Sequence, residues 1–397
     1  MNIILFDPLI QHTRFFPLTL ARPISKIRIG IFTIAEKWEL IAEKKVSFLT
    51  SPYLLKKYPP HIKDDNVLIN SAFIPNDHLY DRIVSLQMNE ALFLDNSLLA
   101  CRTQEQVFDH QIDKWNLQDF KRIQYDGHPD RVQRLADIFL MNGDQIIKDI
   151  SLLQNLRNHK IQDPHTIVYS QENVFVGKNT SIKASILDAE SGPIYLDDEV
   201  TIQPGTVISG PCAILKGSVV SMGAKIRPNT TLGPFCKVGG EVNNVIFQGY
   251  SNKSHDGFLG TSVIGEWCNL GAGTNNSNLK NNYGEIKVWD YAEEKMTLTG
   301  LQYFGLIMGD HSKCGINTMF NTGTVVGFSA NIYDGGYMPK FIPSFAWGNR
   351  NGLTAYELDK AMITARRVME RRSVIMSQED NDIFEYIFNL TSKQRLP

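Results

Sequence analysis

His255 stands in a polar stretch, 243–257, where a surrounding repeat pattern breaks. An imidazole titrates near neutrality, so a histidine freed from a structural pattern can serve as a general base. The plainer alternative is a polar loop histidine on the surface. Arg14, Arg22 and Lys26 place three cations near the start of the chain, and such groups can meet phosphate. Asn142-Gly-Asp144 superficially offers a metal acid, but it reads rather as an Asn-Gly turn before a helix with Asp144 as N-cap. Cys101, Cys212, Cys236, Cys268 and Cys314 show no close metal-type spacing, so no metal site is expected from them. An odd number of thiols without a signal peptide fits reduced cysteines in the cytoplasm.

The elements that must hold these residues differ between the two halves of the chain. Apolar residues recur every six positions at Leu196, Ile202, Ile208, Ile214, Val220, Ile226, Leu232 and Val238. Four residues after each stands a small or β-branched residue: Val200, Thr206, Cys212, Ser218, Ala224, Thr230, Cys236 and Val242. The register extends back to Val176 and Ile182, with a two-residue slip between. It resumes at Phe258, Ile264 and Leu270, and again from Met308 through Cys314, Phe320, Val326 and Ile332. Neither a helix of 3.6 residues per turn nor an alternating strand produces a period of six. Three six-residue sides per coil make a hexapeptide parallel β-helix, of at least six coils and about 29 Å at ~4.8 Å per coil. Four of the five cysteines fall on repeat positions, where they serve as small interior filler. Two stretches, 243–257 and 275–300, depart from the repeat as loops.

Residues 1–165 alternate expected strands (2–6, 29–33, 46–49, 67–69, 91–94) with expected helices (36–44, 77–86, 132–139, 144–156), the pattern of an α/β domain. The β-helix occupies 166–343. A tail, 344–397, carries a helix over 354–373 with a capping box at Thr354 and Glu357, and a short helix over 383–390. The composition restricts the function. The 397 residues carry 40 Lys+Arg against 42 Asp+Glu, for a net charge of −2. This gives no basic excess for a nucleic-acid partner. No run approaches the ~18 apolar residues of a membrane span.

Two segments carry a family resemblance. Asn252-Lys-Ser-His-Asp-Gly-Phe-Leu-Gly260, followed by Ile264-Gly-Glu-Trp-Cys-Asn-Leu-Gly-Ala-Gly-Thr274 and Asn278, resembles the acetyltransferase domain of the bifunctional bacterial glucosamine-1-phosphate acetyltransferase / N-acetylglucosamine-1-phosphate uridyltransferase family. The spacings from His255 to Gly260, Asn269 and Asn278 match. Arg14-Phe-Phe-Pro-Leu-Thr-Leu-Ala-Arg-Pro23 resembles the start of sugar-1-phosphate nucleotidyltransferases, although 7–13 lacks their glycines and Ile24 replaces their lysine. The resemblance implies a left-handed β-helix behind an α/β nucleotidyltransferase-like domain, and a homotrimer with acetyl sites between subunits. It implies His255 as catalytic base, Arg227 and Lys253 as cations on a sugar phosphate, Glu241 on the phosphate side, and Asn269 and Asn278 at the sugar. It also implies acetyl-CoA as co-substrate and an amino-sugar phosphate as acceptor. UTP or another NTP, with Mg²⁺, enters if the first domain is active, and Arg14, Arg22 and Lys26 would then bind nucleotide. Asn243, Phe258 and Ile316 stand where the family has a lysine, a tyrosine and a serine, and Lys280 or Lys287 of the long loop could supply replacements. The expected function is acetyl transfer joined to a degenerate nucleotidyltransferase. The alternatives are an active nucleotidyltransferase on a purely structural β-helix, and a non-enzymatic sugar-nucleotide-binding trimer.

Overall fold

A computed structural model describes residues 1–104, 119–153 and 159–395. The chain divides into two compact units. The first comprises Met1–Phe15, Ala21–Ile27 and Phe32–Arg134; the second comprises Phe16–Leu20, Arg28–Ile31 and Leu135–Pro397.

The first unit is built on a six-stranded mixed sheet. Its strands are β1 (Asn2–Phe6), β2 (Ser47–Leu49), β3 (Asn66–Asn70), β4 (Glu90–Leu94), β5 (Ser97–Thr103) and β6 (Lys121–Gln124), in the order β2-β1-β3-β5-β4-β6. The strands β2, β1 and β3 are parallel, and β5 is antiparallel to both neighbours. The central strands β1 and β3 are buried except at Asn2, as their unbroken Ile/Leu/Val runs require. Helix α1 (Leu9–Arg14) follows β1, α2 (Ile34–Ala42) precedes β2, and α3 (Asp77–Val84) follows β3. Thr33 starts α2 with a capping box closed by Glu36.

The expected strand at 29–33 does not form. Arg28–Ile31 runs instead within the second unit, and side chains satisfy its backbone. Gln248 accepts from the Arg28 amide at 2.7 Å, Asn142 from Gly30 at 2.7 Å and Asp149 from Ile31 at 2.7 Å, while Thr231 donates to the Gly30 carbonyl at 3.0 Å. An apolar Ile-x-Ile pattern shows burial but not which partner supplies the hydrogen bonds. The two helices expected over 132–139 and 144–156 are one, α4 (Leu135–Leu152), and 154–156 lie outside the described residues. Asn142-Gly-Asp144 is therefore neither a turn nor an N-cap. Gly143 sits mid-helix because a Cβ there would lie 2.0 Å from the Asn229 carboxamide oxygen. Asn142 is fully buried and also donates to the Asn229 carbonyl at 2.9 Å and the Thr231 hydroxyl at 3.0 Å.

The rest of the second unit is a left-handed parallel β-helix with helices at its end. Its third face stacks from Ser181–Ile182 to Ala346–Asn349 in a ten-stranded sheet, closed by the antiparallel strand Gly352–Ala355. All eight residues from Leu196 to Val238 in the large series are buried, and so are all eight small ones from Val200 to Val242. The buried hydroxyls are satisfied by the adjacent coil: Ser218 donates to Gly233 at 2.8 Å and accepts from the Cys236 amide at 3.0 Å, and Ser251 does the same with Gly265 and Cys268. The five cysteines are buried and form no disulfide among the described residues, and burial pushes the Cys236 thiol up to about 12.

The expected loop at 243–257 stays in the wall. Strands Glu241–Gly249 and Phe258–Glu266 pair over nearly their whole length. The register offsets are 15 residues between Lys237 and Asn252 and 17 between Asn252 and Asn269. Coils shorter than eighteen residues break a strict period of six without leaving the column. One consequence is that Leu259, rather than Phe258, points inward. The second departure is a true insertion, carrying the antiparallel hairpin Lys287–Asp290/Lys295–Leu298. In the tail, Thr354 lies on a strand, so the expected capping box is absent. Helix α5 (Leu358–Glu370) starts from Glu357 without a side-chain cap, whereas Ser377 and Asp380 box the start of α6 (Gln378–Leu390).

Candidate functional site

The β-helix alternates inward and outward side chains along each wall, and its corners release residues from that alternation. His255 occupies a corner between the third face, which ends there at Asn252–Lys253, and the first face, which begins at Phe258. Its imidazole is exposed and makes no hydrogen bond or ion pair among the described residues. Lys253, two residues earlier, is placed differently. It pairs in register with Val238 and is 1% exposed. Its ammonium donates to the carbonyls of His255 at 2.8 Å and Gly239 at 3.3 Å. Burial lowers it to about 8, against the raising effect of Asp256 and Cys314. An interior ammonium held by backbone carbonyls is not presented to a phosphate on the surface. The sequence reading put Lys253 outside because it treated 243–257 as a loop.

Arg227 and Glu241 are brought together. They lie on adjacent coils of the first face and form an ion pair at 3.1 Å, with the Arg227 side chain 56% exposed. Glu241 aligns with Phe258, so His255 precedes their shared face at one corner. Asn278 belongs to the opposite corner, where it donates to the Thr261 hydroxyl at 3.1 Å. Asn269 is on the third face, exposed, between Asn252 and Lys313. Within one chain these groups therefore spread over two walls instead of converging. Of the two lysines of the insertion, Lys280 donates to the Glu285 carbonyl and Lys287 is exposed on the hairpin. Ile316 is 66% exposed.

Asn276 escaped the sequence reading. Its carboxamide accepts from the Gly260 amide at 2.8 Å and donates to the Gly260 carbonyl at 3.0 Å, so it fixes the strand that follows His255. A signal was available: Asn276 is six residues beyond Leu270, a polar residue on an interior register position.

The first unit has its own cleft, of about 220 Å³, at the carboxyl ends of β1 and β3. The strand order reverses there, which is where open α/β sheets bind ligands. Arg14, Gln11, Asn70 and Arg131 line it. Arg14 is the only one of the three expected cations on this cleft; Arg22 is buried and the Lys26 ammonium lies 4.8 Å from the Phe48 ring centroid. Arg131 was missed. Behind the cleft, buried Asp7 accepts from the Thr50 hydroxyl at 2.6 Å and lies 3.9 Å from His12. Burial raises the Asp7 carboxyl and lowers the His12 imidazole, which favours the uncharged form of each. No carboxylate is among the residues lining the cleft, so the lining does not fit a magnesium ion. Among the described residues no cluster of three His, Cys, Asp or Glu is arranged for a metal, and no helix is long and apolar enough to cross a membrane.

The chain thus joins an α/β unit with a cleft at its topological switch to a left-handed β-helix with outward polar groups at its corners. Residues 3–158 match the model of the sugar nucleotidyl transferase family. The chain is a divergent relative of the bifunctional sugar-1-phosphate nucleotidylyltransferase/acetyltransferases. It is 34% identical over 172 residues to the protein of that name from Sulfurisphaera tokodaii, covering 43% of this chain and 40% of that one. It is 34% identical over 159 residues to the bifunctional protein GlmU of Methanococcus aeolicus, covering 40% and 36%. With GlmU of Bartonella quintana it shares 25% over 214 residues, covering 51% and 43%. The chain thus matches about two fifths of the length of these relatives.

Proposed function

We propose that the β-helix transfers an acetyl group from acetyl-CoA to the amine of an amino-sugar phosphate resembling glucosamine 1-phosphate. The observation that carries this reading is His255: an exposed imidazole without a partner among the described residues, at a corner, with the family's spacing to Gly260, Asn269 and Asn278. In this reaction the amine attacks the thioester carbonyl. A C–N bond forms, the C–S bond breaks, and the amine loses a proton. His255 takes that proton and returns it to the departing thiolate, leaving amide and free coenzyme thiol. Arg227 supplies a charge-assisted contact to the phosphate, which replaces its ion pair with Glu241. The groups are spread over the walls of one chain, so this reading calls for a homotrimer packed along those walls, with each site completed by a neighbour. Five cysteines that form no disulfide among the described residues fit a reducing, cytoplasmic setting.

The test is steady-state release of coenzyme thiol from acetyl-CoA with glucosamine 1-phosphate. His255→Ala should lower turnover about 10²–10⁴-fold, the usual range for a general base. Its unfolding transition should stay in place, because the side chain is exposed. Turnover near the wild-type value would sink the reading.

The cleft of the first unit supports a second activity, sugar-1-phosphate nucleotidyl transfer, through the guanidinium groups of Arg14 and Arg131. We propose that this activity is degenerate. The segment 7–13 has no glycine, and part of it forms α1, so backbone amides lose their closest approach to a triphosphate. Pyrophosphate release from UTP and N-acetylglucosamine 1-phosphate should be weak or absent; robust release would refute the degeneracy.

A further inference from the structure

The outward side chains of the third face form a row: Lys237, Asn252, Asn269, Lys313 and Asn331 pair in register on successive coils. Coils repeat at about 4.8 Å, so Lys313 stands one coil beyond Asn269 and about 10 Å from Asn252, which lies three residues before His255. Neither proposed activity uses Lys313. Cys314, next in the same strand, points into the column and is 4% exposed, which fixes Lys313 as outward.

The setting of this ammonium is unusual for a lysine on an outer wall. Lys313 is half-buried, and its neighbours in the row are the carboxamides of Asn269 and Asn331. Among the described residues its one hydrogen bond goes to the His311 carbonyl, at 2.8 Å, and no carboxylate pairs with it. Burial lowers it to about 8, against the raising effect of Cys268, the titratable group that faces it. At pH 8 about half of such amines are neutral, against well under ~1% for a lysine near 10.5. A desolvated, neutral lysine amine is a nucleophile. Two other lysines near His255 and Asn269 each lack one requirement. Lys253 is also lowered to about 8 but is sealed inside the column. Lys237, on the same row two coils before Asn269, is exposed to water.

We propose that Lys313 is a self-acetylation site, whose ε-amine takes the acetyl group of a thioester held along the third face. The inference rests on the acetyl-transfer reading for its donor, acetyl-CoA. That reading brings the thioester to His255 and Asn269, and the flexible four-carbon stem of Lys313 lets its nitrogen reach across the one coil that separates it from Asn269. The neutral amine attacks the thioester carbonyl. A C–N bond forms and the C–S bond breaks. The proton that the nitrogen loses goes to the departing thiolate, leaving N-acetyllysine and free coenzyme thiol. The product suits its surroundings: the acetamide keeps one N–H for the His311 carbonyl, and a charge that burial disfavours is gone. His255 is not required, because the attacking amine is already neutral.

Incubation of the full-length protein with acetyl-CoA at pH 8, with no sugar present, tests this. Intact mass and peptide mapping follow the acetylated lysines before and after incubation. Lys313 should be acetylated at least about tenfold faster than Lys237, as its larger neutral fraction requires, and excess coenzyme A should slow it. Lys313→Arg should lose that acetyl group and His255→Ala should keep it, with unfolding midpoints confirming that both variants are folded. Lys313 that stays unmodified, that is labelled no faster than Lys237, or whose labelling ignores coenzyme A overturns the proposal. Loss of the label in His255→Ala would make His255 the base and overturn the step as written. Acetylation of glucosamine 1-phosphate by a protein whose Lys313 stays free overturns the proposal while leaving acetyl transfer to the sugar standing. Acetylated Lys313 in a protein that does not acetylate the sugar removes the catalytic reading alone.

Discussion

Replacing Lys253 by methionine separates an interior lysine from one that serves a ligand. In the folded chain burial brings this ammonium from 10.5 down to about 8. At about 1.4 kcal/mol per pH unit, that displacement is worth about 3 kcal/mol of preference for the neutral amine. The sign follows from proton binding. Below pH 8 the lysine is protonated in both states, and the folded protein bears the whole penalty. Between 8 and 10.5 the unfolded chain holds the proton that the folded one has released, so stability rises with pH. Lys253→Met has no such contribution. The stability of the wild type relative to the variant should therefore climb by about 1.4 kcal/mol per pH unit from pH 8 to 10 and stay level from 6 to 7.5. Lys313, also lowered to about 8 by burial, titrates in the same region, but both proteins contain it and it cancels in the difference. Urea unfolding at fixed protein concentration, followed by circular dichroism at pH 6, 7, 8, 9 and 10, measures this directly. A difference that does not change with pH would show that Lys253 is solvated. In the acetyl-transfer assay the variant should also keep its KM for the sugar phosphate. A tenfold rise in that KM would return Lys253 to the phosphate.

Two further substitutions address neighbouring features. Asn142→Ala should destabilise the second unit by about 2–3 kcal/mol, because it leaves the buried Gly30 amide without its acceptor; a loss under 0.5 kcal/mol in urea unfolding would contradict the buried network. Arg227→Ala should raise KM for the sugar phosphate about tenfold, consistent with a lost charge-assisted contact. It should barely alter the unfolding midpoint, since an exposed ion pair contributes at most ~1 kcal/mol, and a melting shift without a KM change would mark Arg227 as structural.

The β-helix was legible wherever coils kept eighteen residues. There every large and small register position is interior, because period six admits no other element. Legibility failed where coils shorten. Offsets of 15 and 17 residues put Lys253 and Leu259 inside and made a wall look like a loop. The first unit was read less well for a different reason. The strands 2–6, 67–69 and 91–94 carry their own apolar runs, but β6, with Lys121 and Arg122, lacks one and gave no signal. The Ile29–Ile31 pattern and the Asn142–Asp144 turn both misled for one physical reason. Their backbone or side-chain partners are far away in sequence, and Gly143 is explained by Asn229 rather than by a local turn. Helix α1 was missed because six residues without a capping side chain leave no local signature.

The same alternation explains which site residues the sequence could place. A side chain in the wall of a β-helix points either into a packed column, where a change of volume is costly, or outward, where it costs little. His255, Arg227, Glu241 and Asn269 are outward or at corners, and so are three positions that depart from the related acetyltransferases, Asn243, Phe258 and Ile316. Divergence at those positions leaves the core unchanged: the inward neighbours Val242 and Leu259 are both essentially inaccessible. Asn243 stands beside Asn244 on a carboxamide-lined cleft, where a lysine would put a cation among neutral amides. The exchange of that lysine for asparagine thus lowers the charge facing the ligand without disturbing the coil. Under the acetyl-transfer reading proposed above, Arg227 on the coil below is then left as the cation for a phosphate.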